Sequence, residues 1–309
     1  MNKRTPSFTL LITTKNRREA LAFTLQNIKP LLEREDVECI ICDDGSTDGT
    51  VSFIKSHFPK IIIIRNETSK GLIYSRNRLM GMVTSEYAIS LDDDAHFSTE
   101  NPLEEIAKYF EANPNCGVLA FRIFWGLNGP HTTQTNQKPE RVKGFVGCGH
   151  AWRMAAWKDI PNYPEWFVFY GEEDFAAHHL FMKAWEVQYL PAVLVHHRVE
   201  VKQRKQQKDY LVRSRRSLRS GWYLYLLFLP WRYIPKKLAY SLWMQLKSKV
   251  FKGDWKAGMG ILQAMGDLMV NIPKLLKQRK ALSLQQFGEF IKLRETKIYW
   301  TPEHGRNTE

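Results

Sequence analysis

Three acidic clusters and a pair of histidines hold the residues best suited to chemistry in this 309-residue chain. Asp92, Asp93 and Asp94 are consecutive. Adjacent carboxylates repel one another unless a cation or solvent neutralises them. Hard oxygen donors of this kind suit Mg2+ or Mn2+, which keep several waters and share a diphosphate with the protein. Asp43-Asp44-Gly45-Ser46 joins two carboxylates to a glycine that permits a tight turn, so the acids can accept hydrogen bonds from a nucleobase or ribose. Gly171-Glu172-Glu173-Asp174 places three acids where a helix opens. They complement the helix dipole, and one of them can serve as a general base toward a hydroxyl. His196-His197 follows at the end of an apolar run, where a ring nitrogen can complete a metal shell. The plainer alternatives are a solvated acidic turn, a capped turn into a helix, and a structural histidine pair.

These residues need elements to hold them, and the first two-thirds of the chain supplies an alternation. Short apolar runs at 8–13, 37–42, 60–65, 87–91, 118–124 and 187–195 read as strands. Helical spacing of apolar residues covers 17–32, 50–58, 72–83 and 102–112, and a further helix opens near Glu173. Strand and helix in alternation predict an α/β fold built on a mixed, mostly parallel sheet with helices on both faces. Ligands in such sheets bind beyond the carboxyl ends of the strands. Asp43-Asp44 and the aspartate triplet follow the second and fourth strands, at that edge. The polar stretch 126–143 reads as a substrate loop, 144–154 as a glycine-rich, partly extended segment, and Pro191 as an edge or bend in the last strand.

Composition separates the chain into two parts. From Arg198 onward there are 24 Lys plus Arg against eight Asp plus Glu, leaving 21 basic and 24 acidic residues in 1–197. The expected organisation is a catalytic domain over 1–200 and a basic, aromatic-rich helical region over 201–309. The longest apolar run, 221–234, is interrupted by Pro230 and Arg232 and falls short of the roughly 20 residues of a membrane span. The first residues lack the apolar core of a signal peptide. The expectation is a cytoplasmic protein, soluble or peripheral on the inner face of the cell membrane. Cys39 and Cys42 form a C-x-x-C, but within an extended run residues three apart point to opposite faces, and no second pair follows at zinc spacing, so they read as core cysteines.

The motifs T-T-K-N-R at 13–17, D-D-G-S at 43–46, G-x4-R-N at 71–77, L-D-D-D at 91–94, G-E-E-D at 171–174 and H-H at 196–197 occur in the order and rough spacing of family 2 glycosyltransferases. The chain resembles that family, inverting enzymes of the Rossmann-like GT-A fold, over about residues 6–200. The resemblance implies that Thr13, Asn16 and Arg17, the Asp43-Asp44 pair, and Arg76 and Asn77 bind the donor. It further implies that Asp93 faces the ribose, that Asp94 binds the metal with Asp92 as first acid of the D-x-D, and that His196 or His197 is a late metal or diphosphate contact. Asp174 corresponds to the catalytic base, with Glu173 beside it. G-E-E-D-F departs from the common G-E-D-x-D form in lacking its second Asp. The implied partners are a UDP- or dTDP-sugar donor with Mn2+ or Mg2+ and a glycan or lipid-linked acceptor.

Residues 202–219 form a dense basic run, followed by Trp222 to Trp231 and, among further lysines, Trp243, Trp255 and Met259. Basic groups beside Trp and Leu suit a helix lying on an anionic membrane surface. A helical appendage packed on the domain with its lysines solvated is the alternative. This tail is similar to those of rhamnosyltransferase-like enzymes of polysaccharide biosynthesis. No nucleic-acid-binding motif is present, and the aromatics cluster in an apolar block, so nucleic acid is not the expected partner. Two rival functions share parts of the pattern. A sugar-nucleotide nucleotidyltransferase would carry a glycine-rich loop after the first strand, where this chain has T-T-K-N-R-R-E. A non-catalytic nucleotide-sugar-binding scaffold would be favoured if the acidic triplet failed to bind metal, yet all three carboxylate sites are present.

Overall fold

The computed structural model describes residues 7–199 and 209–297. Nine strands form one sheet: β1 (Phe8–Thr14), β2 (Val37–Asp43), β3 (Ile62–Arg65), β4 (Tyr87–Asp92), β5 (Ala95–Phe97), β6 (Cys116–Trp125), β7 (Glu140–Val142), β8 (Gly149–Arg153) and β9 (Glu186–His197). Their order is β3-β2-β1-β4-β8-β6-β9-β5, with β7 also on β9. The first four strands are parallel. Beyond β4 the pairing is mixed: β8 runs antiparallel to β4 and β6, β6 and β9 are parallel, and β5 and β7 are antiparallel to β9. Pro191 falls where the β6–β9 register jumps from Leu190 to Leu194, the expected bend. The three-residue β5, directly after the aspartate triplet, is too short to register as a periodic run in the sequence.

The helices before β9 are α1 (Arg18–Asn27), α2 (Lys29–Leu32), α3 (Thr50–His57), α4 (Leu72–Met80), α5 (Pro102–Ala112), α6 (Met154–Lys158) and α7 (Glu172–Met182). The period-two alternation of the strands sorts side chains onto two faces. Leu10 and Ile12 of β1, Cys39 and Ile41 of β2 and Ile89 of β4 meet α1, α3 and α5 on one side. Leu11, Ile40, Cys42 and Ala88 meet α4, α6 and α7 on the other. Cys39 and Cys42 are thus core residues of opposite layers, and all four cysteines are free and buried.

Four more helices follow: α8 (Tyr210–Phe228), α9 (Ile234–Ser248), α10 (Trp255–Gln278) and α11 (Leu284–Phe290). They are not a separate body. Tyr223, Leu227 and Phe228 of α8, Leu275 of α10 and Phe287 of α11 are buried in the same apolar cluster as Phe167 and Phe175 of the sheet layer. Gly260 of α10 faces α8, where a Cβ would be in ordinary contact with Leu211 at 3.4 Å. Residues 202–208 of the basic run lie outside the described residues. No described helix is long and apolar enough to cross a membrane.

Candidate active site

A cavity of about 920 Å3 opens at the carboxyl edge of β1, β2 and β4. Its lining includes Thr13, Arg17, Asp44, Arg76, the whole aspartate triplet, Glu172, Glu173, Asp174 and His197, so most of the sequence-marked residues converge on one space. The strand order explains this. β1 lies between β2 and β4, so two motifs some fifty residues apart end on the strands that flank β1.

Each acid of the triplet meets a cation, and Asp93 and Asp94 share Arg17. Asp92 accepts from Arg76 Nη2 at 3.1 Å. Asp93 meets Arg17 Nε at 3.2 Å and accepts from Thr14 Oγ1 at 2.8 Å. Asp94 takes Arg17 Nη2 at 2.5 Å and His197 Nε2 at 3.0 Å. Burial, only partly offset by Arg17 and worsened by Asp94, pushes the Asp93 carboxyl up to about 7. Asp94 is also buried, which acts to raise its pKa, yet the His197 ring and Arg17 together hold it down at about 2. One ligand atom each from Asp92, Asp94 and His197 lies within 4.8 Å of the others. Two carboxylate oxygens and one imidazole nitrogen form a donor set that fits Mn2+ or Mg2+, with positions left for diphosphate and water. Of the two histidines expected as metal contacts, strand alternation brings one. His196 points to the other face of β9, packs against His96 and Phe124, and has Nε2 2.7 Å from the Gly126 carbonyl.

Arg76 is the hub between this metal edge and the α7 acids. Its side chain is 6% exposed. Besides Asp92 it donates to Glu172 at 2.8 Å, Glu173 at 3.1 Å and the Gly147 carbonyl at 2.9 Å. A Cβ at Gly147 would stand 2.0 Å from Glu173 Oε1 and 2.8 Å from Arg76 Nη1, so the glycine clears the space for this junction. Glu172 is buried with Oε2 unpartnered, and burial together with Glu173 raises its pKa. Asp174 stands at the open mouth of the cavity. It is accessible but crowded by surrounding protein, and that desolvation, with Glu173 alongside, lifts its pKa to about 6. Among the described residues it has no ion-pair partner, whereas Glu173 is tied to Arg76.

Several expected donor contacts stand just outside the lining and support it instead. Asp43 is fully buried, accepts from the Ser46 amide at 3.3 and 3.2 Å, and meets Arg65 at 3.4 Å. Asn16, at φ +52°, ties the loop after β1 to the turn after β2 by accepting from the Thr47 amide at 2.7 Å. Asn77, expected near the donor, holds the 163–165 turn: it donates to the Tyr163 carbonyl and Glu165 and accepts from the Tyr163 amide. Asp44 does line the cavity, but Asn66, Ser69 and the amides of Lys70 and Gly71 already donate to it, so it also shapes the 66–71 loop.

Sequence reasoning missed Trp125, Arg198 and Arg213 of the lining and singled out no role for Thr14 within T-T-K-N-R or for Gly147 within the glycine-rich 144–154 stretch, while Glu172 stood among the three G-E-E-D acids. Val168 (φ +69°) and Tyr170 (φ +71°) adopt a backbone region that non-glycine residues seldom visit, in the loop that brings Phe169 and Tyr170 to the cavity. Of the predicted substrate loop, Leu127 contributes to the lining.

The model of glycosyl transferase family 2 matches residues 9–182, more than half of the chain. The chain belongs to this family. The prophage-derived glycosyltransferase SunS of Bacillus subtilis (strain 168) is 30% identical over 109 residues, which are 35% of this chain and 25% of SunS; the chain therefore spans about a quarter of that relative's length. Among solved structures, S. aureus TarS (residues 1–349) in complex with UDP-GlcNAc superposes with a TM-score of 0.57 at 17% identity, covering 88% of this chain and 84% of that one. Mannosyltransferase PcManGT from Pyrobaculum calidifontis, in complex with GDP-Man and Mn2+, gives 0.55 at 15% identity, covering 94% and 79%. At these identities the likeness establishes the fold, which is the expected GT-A arrangement with a helical C-terminal region.

Proposed function

We propose that this family 2 member transfers a sugar, with inversion, from a nucleoside-diphosphate-sugar to an acceptor hydroxyl in cell-surface polysaccharide or glycolipid synthesis. The observation that carries the reading is the convergence, in one cavity, of an Asp92–Asp94–His197 donor set with Asp174 across the Arg76 hub. TarS and PcManGT, solved with UDP-GlcNAc and with GDP-Man and Mn2+, support a nucleotide-sugar donor and a divalent cation. Asp92, Asp94 and His197 would hold Mn2+ or Mg2+, which when bound would neutralise charge on the departing diphosphate. Arg17, with a side chain 47% exposed, is free to swing from Asp93 and Asp94 toward phosphate oxygens. Arg76 fixes Glu173 and leaves Asp174 to take the proton from the acceptor hydroxyl as it attacks the far face of the sugar. A single displacement needs no enzyme nucleophile. The donor favoured by the family resemblance is a UDP- or dTDP-sugar.

A membrane-surface location is supported by α10, where Trp255, Met259, Leu262 and Met269 recur at helical spacing and are 56–76% exposed, with Lys256 and Lys277 on the same helix. The test of the transferase reading is nucleoside diphosphate release from a panel of nucleotide-sugars, with and without Mn2+. Release from one donor only when the metal is present is the expected result. Silence with every donor, together with no binding of Mn2+ or nucleoside diphosphate, would leave a non-catalytic scaffold.

A further inference from the structure

A second cavity, of about 350 Å3, opens beside the first and shares Tyr170 and Arg213 with it. Apart from Tyr170 its walls come from α8, α9 and Lys249 just past α9. Among the described residues Arg213 and Lys249 are its charged lining residues and no acidic side chain is in the lining, while Asp254 behind the wall accepts from the Tyr210 hydroxyl at 2.8 Å. Asp209 meets Arg213 at Nε, 2.5 Å away, and Lys249 Nζ lies 3.5 Å from Ser214 Oγ. The hydroxyls of Ser217 and Ser241 add further donors to the same walls. A phosphate group, negatively charged and rich in acceptor oxygens, matches two cationic side chains set among hydroxyl donors.

Two more observations bear on what the phosphate is attached to. Gly221 lies inside α8, where glycine weakens a helix, and a Cβ there would meet nothing within 4 Å. The space it faces is therefore room for a guest, not the result of tight packing. At the rim, Tyr240 (62% exposed) and Met244 (38%) sit one residue before Ser241 and Gln245, about 100° around α9, so an apolar strip borders the polar cavity.

We propose that the second cavity holds the phosphate headgroup of an amphiphilic acceptor. Its hydrocarbon chain lies over Tyr240 and Met244, and its sugar end reaches the first cavity past Tyr170 and Arg213. The inference rests on the transferase reading for the word acceptor, but its ligand chemistry is tested without any donor. Decyl phosphate, kept below its micelle-forming concentration, is titrated calorimetrically into the full chain beside inorganic phosphate and uncharged decyl maltoside. Saturable binding of decyl phosphate, about tenfold or more tighter than either control, is expected, as is a similar loss in Gly221→Leu, which fills the cavity, and in Lys249→Gln, which removes a charge. Thermal unfolding of both variants checks that they are folded. No binding, equal binding of inorganic phosphate or decyl maltoside, or unaltered binding in both variants would overturn the proposal. Nucleoside diphosphate binding with Mn2+ is measured on the same samples. Its failure alone would count against the transferase reading, while failure of decyl phosphate alone would count against the acceptor site.

Discussion

At the carboxyl edge of β1, β2 and β4, Asp43, Asp44, Asp93 and Asp94 are all buried, and each is met by named donors within hydrogen-bond or ion-pair distance. On α9 and α10 the pattern is reversed. Trp243, Trp255, Leu262 and Val270 are each more than half exposed, and Ile234 is the one buried residue of α9. Burial makes an unpaired charge costly, so the acid edge is restricted to a prebuilt arrangement in which every carboxylate is aimed. The helical region keeps apolar area in water, a cost that only a covering partner relieves. One region states its chemistry through partners already in place, the other through partners it lacks. Changes at the acid edge should therefore cost activity or folding directly, and changes on the exposed helices should cost neither.

The largest effect is expected for Asp94→Ala. It removes one carboxylate of the proposed metal site and a partner of both His197 and Arg17. Sugar transfer should fall about a thousand-fold or more, with loss of calorimetric Mn2+ binding, because charge on the leaving diphosphate goes uncompensated. Mn2+ binding that survives the substitution would make the acid edge a purely structural feature and erase the contrast with the helices.

Arg76→Met comes next. Three acids, two of them on α7, would lose their common cation in a site where Glu172 is already buried with one oxygen unpaired. Breaking such a buried network costs about 3–5 kcal/mol in urea unfolding. Arg76→Lys should recover only part of it, since one ammonium cannot span Asp92, Glu172 and the Gly147 carbonyl as the guanidinium fork does. A loss below about 1 kcal/mol, the range of exposed pairs, would show that the junction is no hub.

Asp174→Asn sharpens the comparison within the acid edge itself. Loss of a general base lowers the rate by roughly 10²–10⁴. The Asp174 pKa is raised to about 6, so the base carries a proton below that pH and is free above it. Log kcat/KM should accordingly fall as pH drops through about 6 and level off above it, and Asp174→Asn should remove that limb. A limb unchanged in the variant would move the base to another residue, with Glu173→Gln the next to examine.

How much of this was legible in the residues follows from the range of the interactions. Strands such as β1 and β2 declare themselves through short, mostly apolar runs, and α5 through Pro102 at its first position, because these are local signals. The acid clusters were legible because a carboxylate triplet is improbable in a core without a purpose. Arg76 and Asn77 are neighbours in one motif, yet one reaches the cavity and the other turns to Tyr163, since their side chains point some 100° apart on α4. Nothing in the sequence separates them. The same holds for His196 and His197, divided by the pleat of β9. Glu172 and Gly147 gain their roles only from Arg76, over seventy residues from either, and no local pattern records that meeting. The union of α8, α10 and α11 with the sheet layer was hidden for another reason. The charge count after Arg198 carries no information on the inner faces of those helices, where Tyr223, Leu227 and Phe287 belong to the shared core.

The smallest expected effect concerns the outer face. Trp255 and Leu262 lie on one stripe of α10, seven residues apart and 76% and 70% exposed, opposite a buried face of Ala257, Ile261 and Ala264. Replacing both by Ser should leave urea stability within about 0.5 kcal/mol per site, as for surface positions generally, and leave donor turnover in solution unchanged. Binding to vesicles of phosphatidylglycerol and phosphatidylcholine should nonetheless weaken about tenfold, since each residue contributes apolar area only when a bilayer covers it. Raising salt should weaken the wild-type interaction further, because the lysines of α9 and α10 act across water and are screened within about 10 Å at 0.1 M. Vesicle binding insensitive to both changes would mean that the exposed stripe meets no lipid. A drop in stability of several kcal/mol would mean that these side chains belong to the folded core, and the division between an edge fixed by its partners and a face awaiting one would not hold.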